Sequence, residues 1–386
     1  MLASSVCTMV GLMVTKQVGR GIVLACQGGG SHTAFTAGVL EELLAHDDRD
    51  IRALSGTSGG AVCAFLAWSG LLLGGQKGRS VGVSRLQRYW DTVQTHGVFE
   101  TLQDAIMINT LRGIGSLGLA LEFSPYMNVF EASRDFKKLI EDVVRFDEIH
   151  VSSRAPRLLI SAANVKTGDF RIFRSHEIDE EPADVITSDV ILASAAVPTL
   201  FRAVHLGENF YWDGLFAQNP PVRDLPDAAR GDGRGGVPPN ELWVIMINPL
   251  QQEAEPRRMD DIRDRRNELA ANISFQQEIF FIGKINELAG RDYLTNKAKK
   301  KYHPIKVRAI TMSDEVAASL DYESKLSRDP GQIRLLREHG KDRARSFLAD
   351  LKRPDADDRT ALLFRDIWGR RKNRNWTPLY SSDSKS

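Results

Sequence analysis

The pentapeptide Gly56-Thr57-Ser58-Gly59-Gly60 fits Gly-x-Ser-x-Gly, a turn that lifts a serine out of the end of a strand and into the start of a helix. A serine so placed is a candidate nucleophile. Positions 56 and 60 must approach closely across such a turn, which leaves no room for side chains. By chance the pattern arises in about one chain in ten of this size, so its weight comes from what surrounds it. A second glycine cluster, Gly28-Gly29-Gly30 after Gln27, can turn consecutive N–H groups towards one point, as a developing oxyanion requires. It fits neither nucleotide-binding fingerprint: there is no Gly-x-x-x-x-Gly-Lys-Ser/Thr, and Thr33 stands where a dinucleotide loop needs glycine.

A serine hydroxyl needs a base. None of the eight histidines sits in a setting that marks it as catalytic, with His32 and His205 the least easily dismissed. The stronger candidate is Asp213 in Tyr211-Trp212-Asp213-Gly214, an acid directly after two aromatics with Asn219-Pro220-Pro221 closing the loop. Burial beside Trp212 is expected to raise its proton affinity towards that of a useful base.

The elements that would position these groups follow from periodicity. Gly21 to Cys26 reads as a strand, the glycine loop follows, and Ser31 to Ala45 reads as a helix; Ile51 to Ser55, the serine turn and Ala61 to Leu73 repeat the plan. Two strand-turn-helix units in succession imply a parallel sheet with helices on its faces. The four glycines between Gly74 and Gly82 predict a loop, with helix from Leu86 to Glu100. Ile106 to Phe130 is apolar without a helical period and reads as a buried connection or a lipid-facing lid. Helix is predicted over Arg134 to Val144, strands over Arg157 to Asn164, Asp169 to Phe173 and Leu242 to Asn248, and mostly helix over Arg257 to Lys301.

The composition is that of a globular protein, 42% hydrophobic, and the net charge of +1 excludes the global field of a dedicated nucleic-acid binder. Cys7, Cys26 and Cys63 form no even disulfide framework, which suits a reducing compartment. No cluster of metal-ligand spacing occurs, and neither a metal nor a cofactor is expected. Residues 1–17 read as a tail, because MLASSVCTMVGLMV lacks both the charged start of a signal peptide and the length of a membrane span.

Taken together, four ordered blocks resemble the patatin-like phospholipase family: GIVLACQGGGSHTAFTAGVLEEL, LSGTSGGAV, ILASAAVPTLFRAV and YWDGLFAQNPPV. The resemblance covers roughly residues 20–225. It implies that Gly28, Gly29 and Gly30, with Gly59 after the serine, form the oxyanion hole, and that Ser58 and Asp213 form a two-residue machine with no histidine. The family's glycine loop usually begins with Asp and carries Arg two residues past the third glycine; here Gln27 and the His32-Thr33 pair occupy those places, and Leu215 replaces a second glycine after Asp213.

The expected architecture is a three-layer α/β/α domain with a mainly parallel central sheet over residues 18–255. A mostly helical extension over 256–365 and a basic, partly disordered tail over 366–386 follow. The expected activity is lipid acyl hydrolysis of the phospholipase A or lysophospholipase type, with a phospholipid or other lipid ester as substrate. The alternatives are an esterase or thioesterase for small soluble substrates and a catalytically weak lipid-binding scaffold. Lys297, Lys299, Lys300 and Lys301 are candidates for peripheral contact with an anionic membrane from a cytoplasmic location. No nucleic-acid partner is expected, and the sequence leaves the oligomeric state open.

Overall fold

The computed structural model describes residues 21–46, 49–95, 125–127, 132–178, 180–198, 200–230, 238–250, 255–257, 259–320, 324–325 and 327–360. The apolar stretch predicted as a connection or lid over 106–130, apart from 125–127, and the tails over 1–17 and 366–386 lie outside the described residues.

The described residues open with two strand-helix units: strand β1 (Ile22–Cys26), helix α1 (Ala34–His46), strand β2 (Ile51–Gly56) and helix α2 (Gly59–Leu71). Strand β3 (Arg157–Asn164) extends the parallel sheet, and the order runs β5-β6-β3-β2-β1-β7-β8, with β4 (Phe170–Arg174) also paired to β3. Strands β5 (Val204–Leu206) and β6 (Asn209–Asp213) add an antiparallel margin, whereas β7 (Glu241–Met246) and β8 (Lys306–Thr311) continue in parallel on the other side. The extension is therefore helical with one strand added at the end of the sheet.

Alternation along the central strands feeds two cores. Ile22, Leu24 and Cys26 face one side with Trp243 and Ile245, while Val23 and Ala25 face the other with Leu242 and Val244. The first side is covered by α1, by α2, by α3 (Gly75–Thr95), by α4 (Ala132–Val143), by α5 (Ser188–Ala195) and by α10 (Pro330–Asp350). The second is covered by α6 (Leu225–Arg230) and by α7 (Met259–Gly290), whose Phe275, Ile279 and Ile282 are buried against the strands. Two short helices flank β8: α8 (Asn296–Lys301) before it and α9 (Asp314–Ala318) after it. A last turn of helix, α11 (Ala356–Thr360), closes the described chain. Among the described residues no helix is long and apolar enough to cross a membrane.

The glycines of 74–82 correct the expected loop, because α3 begins at Gly75. They serve a helix crossing: a Cβ on Gly70 of α2 would lie 2.2 Å from the Gly82 nitrogen, so only glycines allow the backbones to meet. The same device seats the extension on α1, where a Cβ on Gly38 would lie 1.9 Å from the Arg337 carbonyl oxygen of α10. Buried Glu41 of α1 is neutralised there by Arg337 at 2.9 Å, which also reaches Asp91 at 2.7 Å. That pairing lets a fully packed helix keep a charge inside.

Candidate functional site

Ser58 caps the N-terminus of α2 with φ 55 and ψ −132, a left-handed backbone that a serine adopts only when its surroundings force it. The forcing is visible on both sides. A Cβ on Gly56 would lie 2.5 Å from the Gly60 carbonyl oxygen, and a Cβ on Gly60 would lie 2.4 Å from that of Cys26, so the turn is closed by glycine alone. The Ser58 amide donates to Ser194 Oγ of α5 at 3.0 Å, and the Thr57 hydroxyl donates to the Gln218 carbonyl at 2.6 Å. The side chain thus stands at the positive end of a buried helix.

Asp213 ends β6 in register with Ala162 of β3, which carries it to the same edge of the sheet as the serine. It is buried, its amide donates to the Ala196 carbonyl, and its Oδ1 accepts from the Leu215 amide at 2.7 Å. Burial pushes its carboxyl up to about 7, against the opposing pull of hydrogen bonds from the Leu215 amide and the Ser58 side chain. Gly214 must be glycine, since a Cβ there would lie 2.4 Å from the Ser161 carbonyl oxygen.

The glycine loop lies against the serine. A Cβ on Gly28 would meet the Thr57 carbonyl oxygen at 2.6 Å and Ser58 Cβ at 2.9 Å, and one on Gly59 would meet Thr33 Oγ1 at 2.4 Å. Gly30 has φ +56, so the chain bends there as only glycine does readily. Gly28, Gly29, Gly30, Ser58, Gly59 and Asp213, all named from the sequence, therefore converge on one locus. Their amides are not equivalent, however, because that of Gly28 is committed to Asn219 Oδ1 at 2.7 Å.

Gln27 is buried and uses its whole carboxamide. Its Oε1 accepts from the amides of Ile247 and Asn248 at 2.8 and 2.9 Å, and its Nε2 donates to Asn272 Oδ1 of α7 at 2.8 Å. Asn248 Nδ2 in turn donates to the Gly28 carbonyl at 3.0 Å. On the other side of the site, Glu278 of α7 accepts from Gln218 Nε2 and from the amides of Val222 and Arg223, the last two at 2.8 and 3.0 Å. Burial raises the Glu278 carboxyl above its ordinary range. Ser194, Asn272 and Glu278 were not singled out by the sequence, and Asn219 was named only as part of a loop closure. Ser194 and Asn219 lie inside the quoted blocks; the α7 pair leaves no local signal at all.

The two histidines do other work. His32 is buried with Nε2 2.8 Å from Ser324 Oγ, and burial lowers its imidazole to about 3, with Lys325 nearby adding to the effect. The Ser31 amide donates to the Lys325 carbonyl at 2.7 Å. The place of the family's arginine is thus filled by a neutral ring that ties the loop to the extension. His205 is exposed on β5 and stacks on Phe210 with ring centroids 4.7 Å apart.

The sequence profile described as patatin-like phospholipase matches residues 24–226, more than half of the chain. The chain belongs to the patatin-like phospholipase family. Its match to the family spans the glycine loop, the serine turn, α5 and the Asp213 loop, and stops before β7. No curated protein matches the chain significantly. Among solved structures, VipD from Legionella pneumophila is 12% identical over 86% of this chain and 67% of its own, with a TM-score of 0.37. The type III effector protein ExoU is 11% identical over 85% of this chain and 52% of its own, with a TM-score of 0.31. In the ExoU-SpcU complex from the type III secretion system of Pseudomonas aeruginosa the identity is 13% and the coverage 91% and 59%, with a TM-score of 0.29. The chain thus spans only half to two thirds of these structures. The family match includes Ser58, Asp213 and the glycines of both turns, whereas Asn272 and Glu278 lie beyond it.

Proposed function

We propose that the chain is a serine acyl hydrolase that cleaves carboxylic esters of phospholipids or lysophospholipids with Ser58 and Asp213. The observation that carries this reading is the buried Asp213 carboxyl held at the same end of the sheet as a serine on a strained turn, where burial raises its affinity for a proton. A carboxyl of ordinary affinity is a poor base near neutrality; one raised this far has the proton affinity the step needs.

Ser58 Oγ attacks the ester carbonyl carbon while its proton passes to Asp213. The carbonyl oxygen becomes an oxyanion facing the amides of Gly29, Gly30 and Gly59, with the α2 N-terminus adding its positive end. Gly28, whose amide is already taken, anchors the loop instead. Collapse breaks the ester C–O bond, and the proton on Asp213 leaves with the alcohol. Water then gives its proton to Asp213 and attacks the acyl carbon, and Ser58 recovers its hydrogen as the fatty acid departs. Base assistance contributes about 10²- to 10⁴-fold, and each oxyanion donor about 10²- to 10³-fold.

For a lipid surface, support comes from the extension. The outer side of α7 exposes Ile262, Leu269, Ile273, Phe281 and Leu288, and it leads through exposed Tyr293 to the basic helix α8. Apolar side chains beside cations suit peripheral contact with an anionic leaflet, at the cytoplasmic side of a membrane.

Incubation with a serine-directed fluorophosphonate, followed by mapping of the adduct and analysis of products from phospholipid vesicles, tests the reading. Labelling of Ser58 with fatty acid release is expected. Activity confined to short soluble esters would replace it with the small-ester hydrolase, and vesicle binding without labelling would replace it with a lipid-binding scaffold.

A further inference from the structure

The extension lies outside the family match, yet it supplies two buried polar side chains to the loops of the site. Asn272 and Glu278 stand six residues apart on the buried side of α7, about 9 Å along the axis. Asn272 holds Gln27 at the head of the glycine loop and donates through Nδ2 to the Pro249 carbonyl at 3.0 Å. Glu278 holds Gln218, Val222 and Arg223 of the loop that follows Asp213. The glycine loop also touches the Asp213 loop through Gly28 and Asn219, and the serine turn touches it through Thr57 and Gln218. The bonds close a ring from α7 to Gln27, Gly28, Asn219, Gln218 and back to α7.

We infer that α7 is a positioning bracket: Asn272 and Glu278 set the separation between the oxyanion loop and the Asp213 loop, and through it the rate of turnover. The inference rests on the hydrolase reading above. Apolar side chains such as Phe275, Ile279 and Ile282 already seat the helix on the sheet, so attachment does not require buried amide or carboxylate groups, which are costly to desolvate. Hydrogen bonds add direction, which apolar contact lacks, and an oxyanion hole depends on placement to a fraction of an ångström. Removing Asn272 leaves Gln27 Nε2 with only a 3.5 Å contact to the Asn219 carbonyl, so the head of the glycine loop keeps its bonds to Ile247 and Asn248 but loses its tie to α7.

The test uses the full chain with Asn272→Ala, Asn272→Asp, Gln27→Ala and the Gln27→Ala/Asn272→Ala double variant. Steady-state kinetics and hydrogen exchange are read over residues 27–30 and 218–223. Asn272→Ala is expected to lower kcat about tenfold with KM within twofold, and to speed exchange in both segments while exchange in β2 and β3 stays unchanged. Asn272→Asp, which keeps the acceptor for Gln27, is expected to recover most of kcat, and covers the case in which the alanine variant fails to fold. The double variant is expected to be no slower than Gln27→Ala, because both break one link. A wild-type kcat in folded Asn272→Ala, or a raised KM alone, overturns the bracket. If the wild-type chain neither hydrolyses lipid nor labels at Ser58, the hydrolase reading falls instead. Exchange then decides the bracket by itself, and unaltered exchange in the two segments overturns it.

Discussion

The serine turn and the glycine loop are both strand-to-helix connections at the same edge of the sheet, but they are held differently. Residues 56–60 are closed mainly by glycine backbones and by a helix that is buried on nearly every side, with Ser194 and Gln218 as their distant side-chain and carbonyl partners. Residues 27–33 are held from afar, by Ile247 and Asn248 of the strand end, Asn272 of α7, and the Ser324-Lys325 turn. A nucleophile can be placed by local strain, whereas a row of donors needs scaffolding from elsewhere in the chain.

The largest expected effect lies at the serine turn and its acid. Ser58→Ala and Asp213→Asn should each reduce kcat at least 10³-fold, and the double variant should be scarcely slower, since groups acting as a unit are not additive. His32→Ala and His205→Ala should cost less than tenfold. Parallel kinetics on circular-dichroism-verified protein check this, and a histidine variant as damaged as Asp213→Asn would defeat the two-residue scheme.

At the scaffolded loop, Gly29→Ala places a Cβ 2.5 Å from Ile247 Cγ2. A fall in kcat of about 10²-fold with little change in KM is expected, as for loss of one oxyanion donor. Pairing it with Ile247→Ala should return part of the rate by clearing the collision. No recovery in the pair would show that the loop is not displaced by that contact.

The comparison also has a pH form. Because the base must be ionised, kcat should rise about tenfold per unit below pH 7 and level off above it. Stability runs the other way: the folded state holds the Asp213 proton between its ordinary 3.8 and about 7, so stability falls as pH rises through that window. Asp213→Asn should therefore stabilise the protein at pH 8, by up to about 4 kcal/mol, and hardly at pH 4. Thermal melts of both proteins at the two pH values decide the sign.

How far the sequence revealed the site follows the same division. The strand-turn-helix units are legible because their periodicity is local, and Ser58, the glycines and Asp213 stand out as candidates because they lie in short motifs that resemble the family. Gln27 and Asn272 are 245 residues apart, and a carboxamide pair carries no period or composition by which one could find the other. The helix over 75–82 was hidden because its glycines look like loop until Gly70 is seen packed against Gly82. Strand β8 was hidden inside a charged stretch, its alternation too short to stand out beside the helices.

The smallest effect is expected at α8. Lys299 is paired with Asp292, which leaves fewer cations to meet a surface. Changing Lys297, Lys299, Lys300 and Lys301 to glutamine should weaken binding to anionic vesicles only a few-fold at low salt, with hydrolysis of a soluble ester unchanged. Equal co-sedimentation of the two proteins across a salt titration would remove α8 from the contact surface.

Strand β8 has one more consequence. It pairs along the whole of β7, whose six residues Glu-Leu-Trp-Val-Ile-Met are all buried, and Arg308 on it grips Glu241 through two bonds of 3.0 and 2.9 Å. A chain cut after residue 255 would keep the family-matched residues yet bare β7 as a sticky, apolar sheet edge, ready to recruit the same edge of another molecule. Such a fragment should scatter light and sediment as aggregate where the full chain stays dispersed, so the outermost strand acts as the molecule's guard against its own kind.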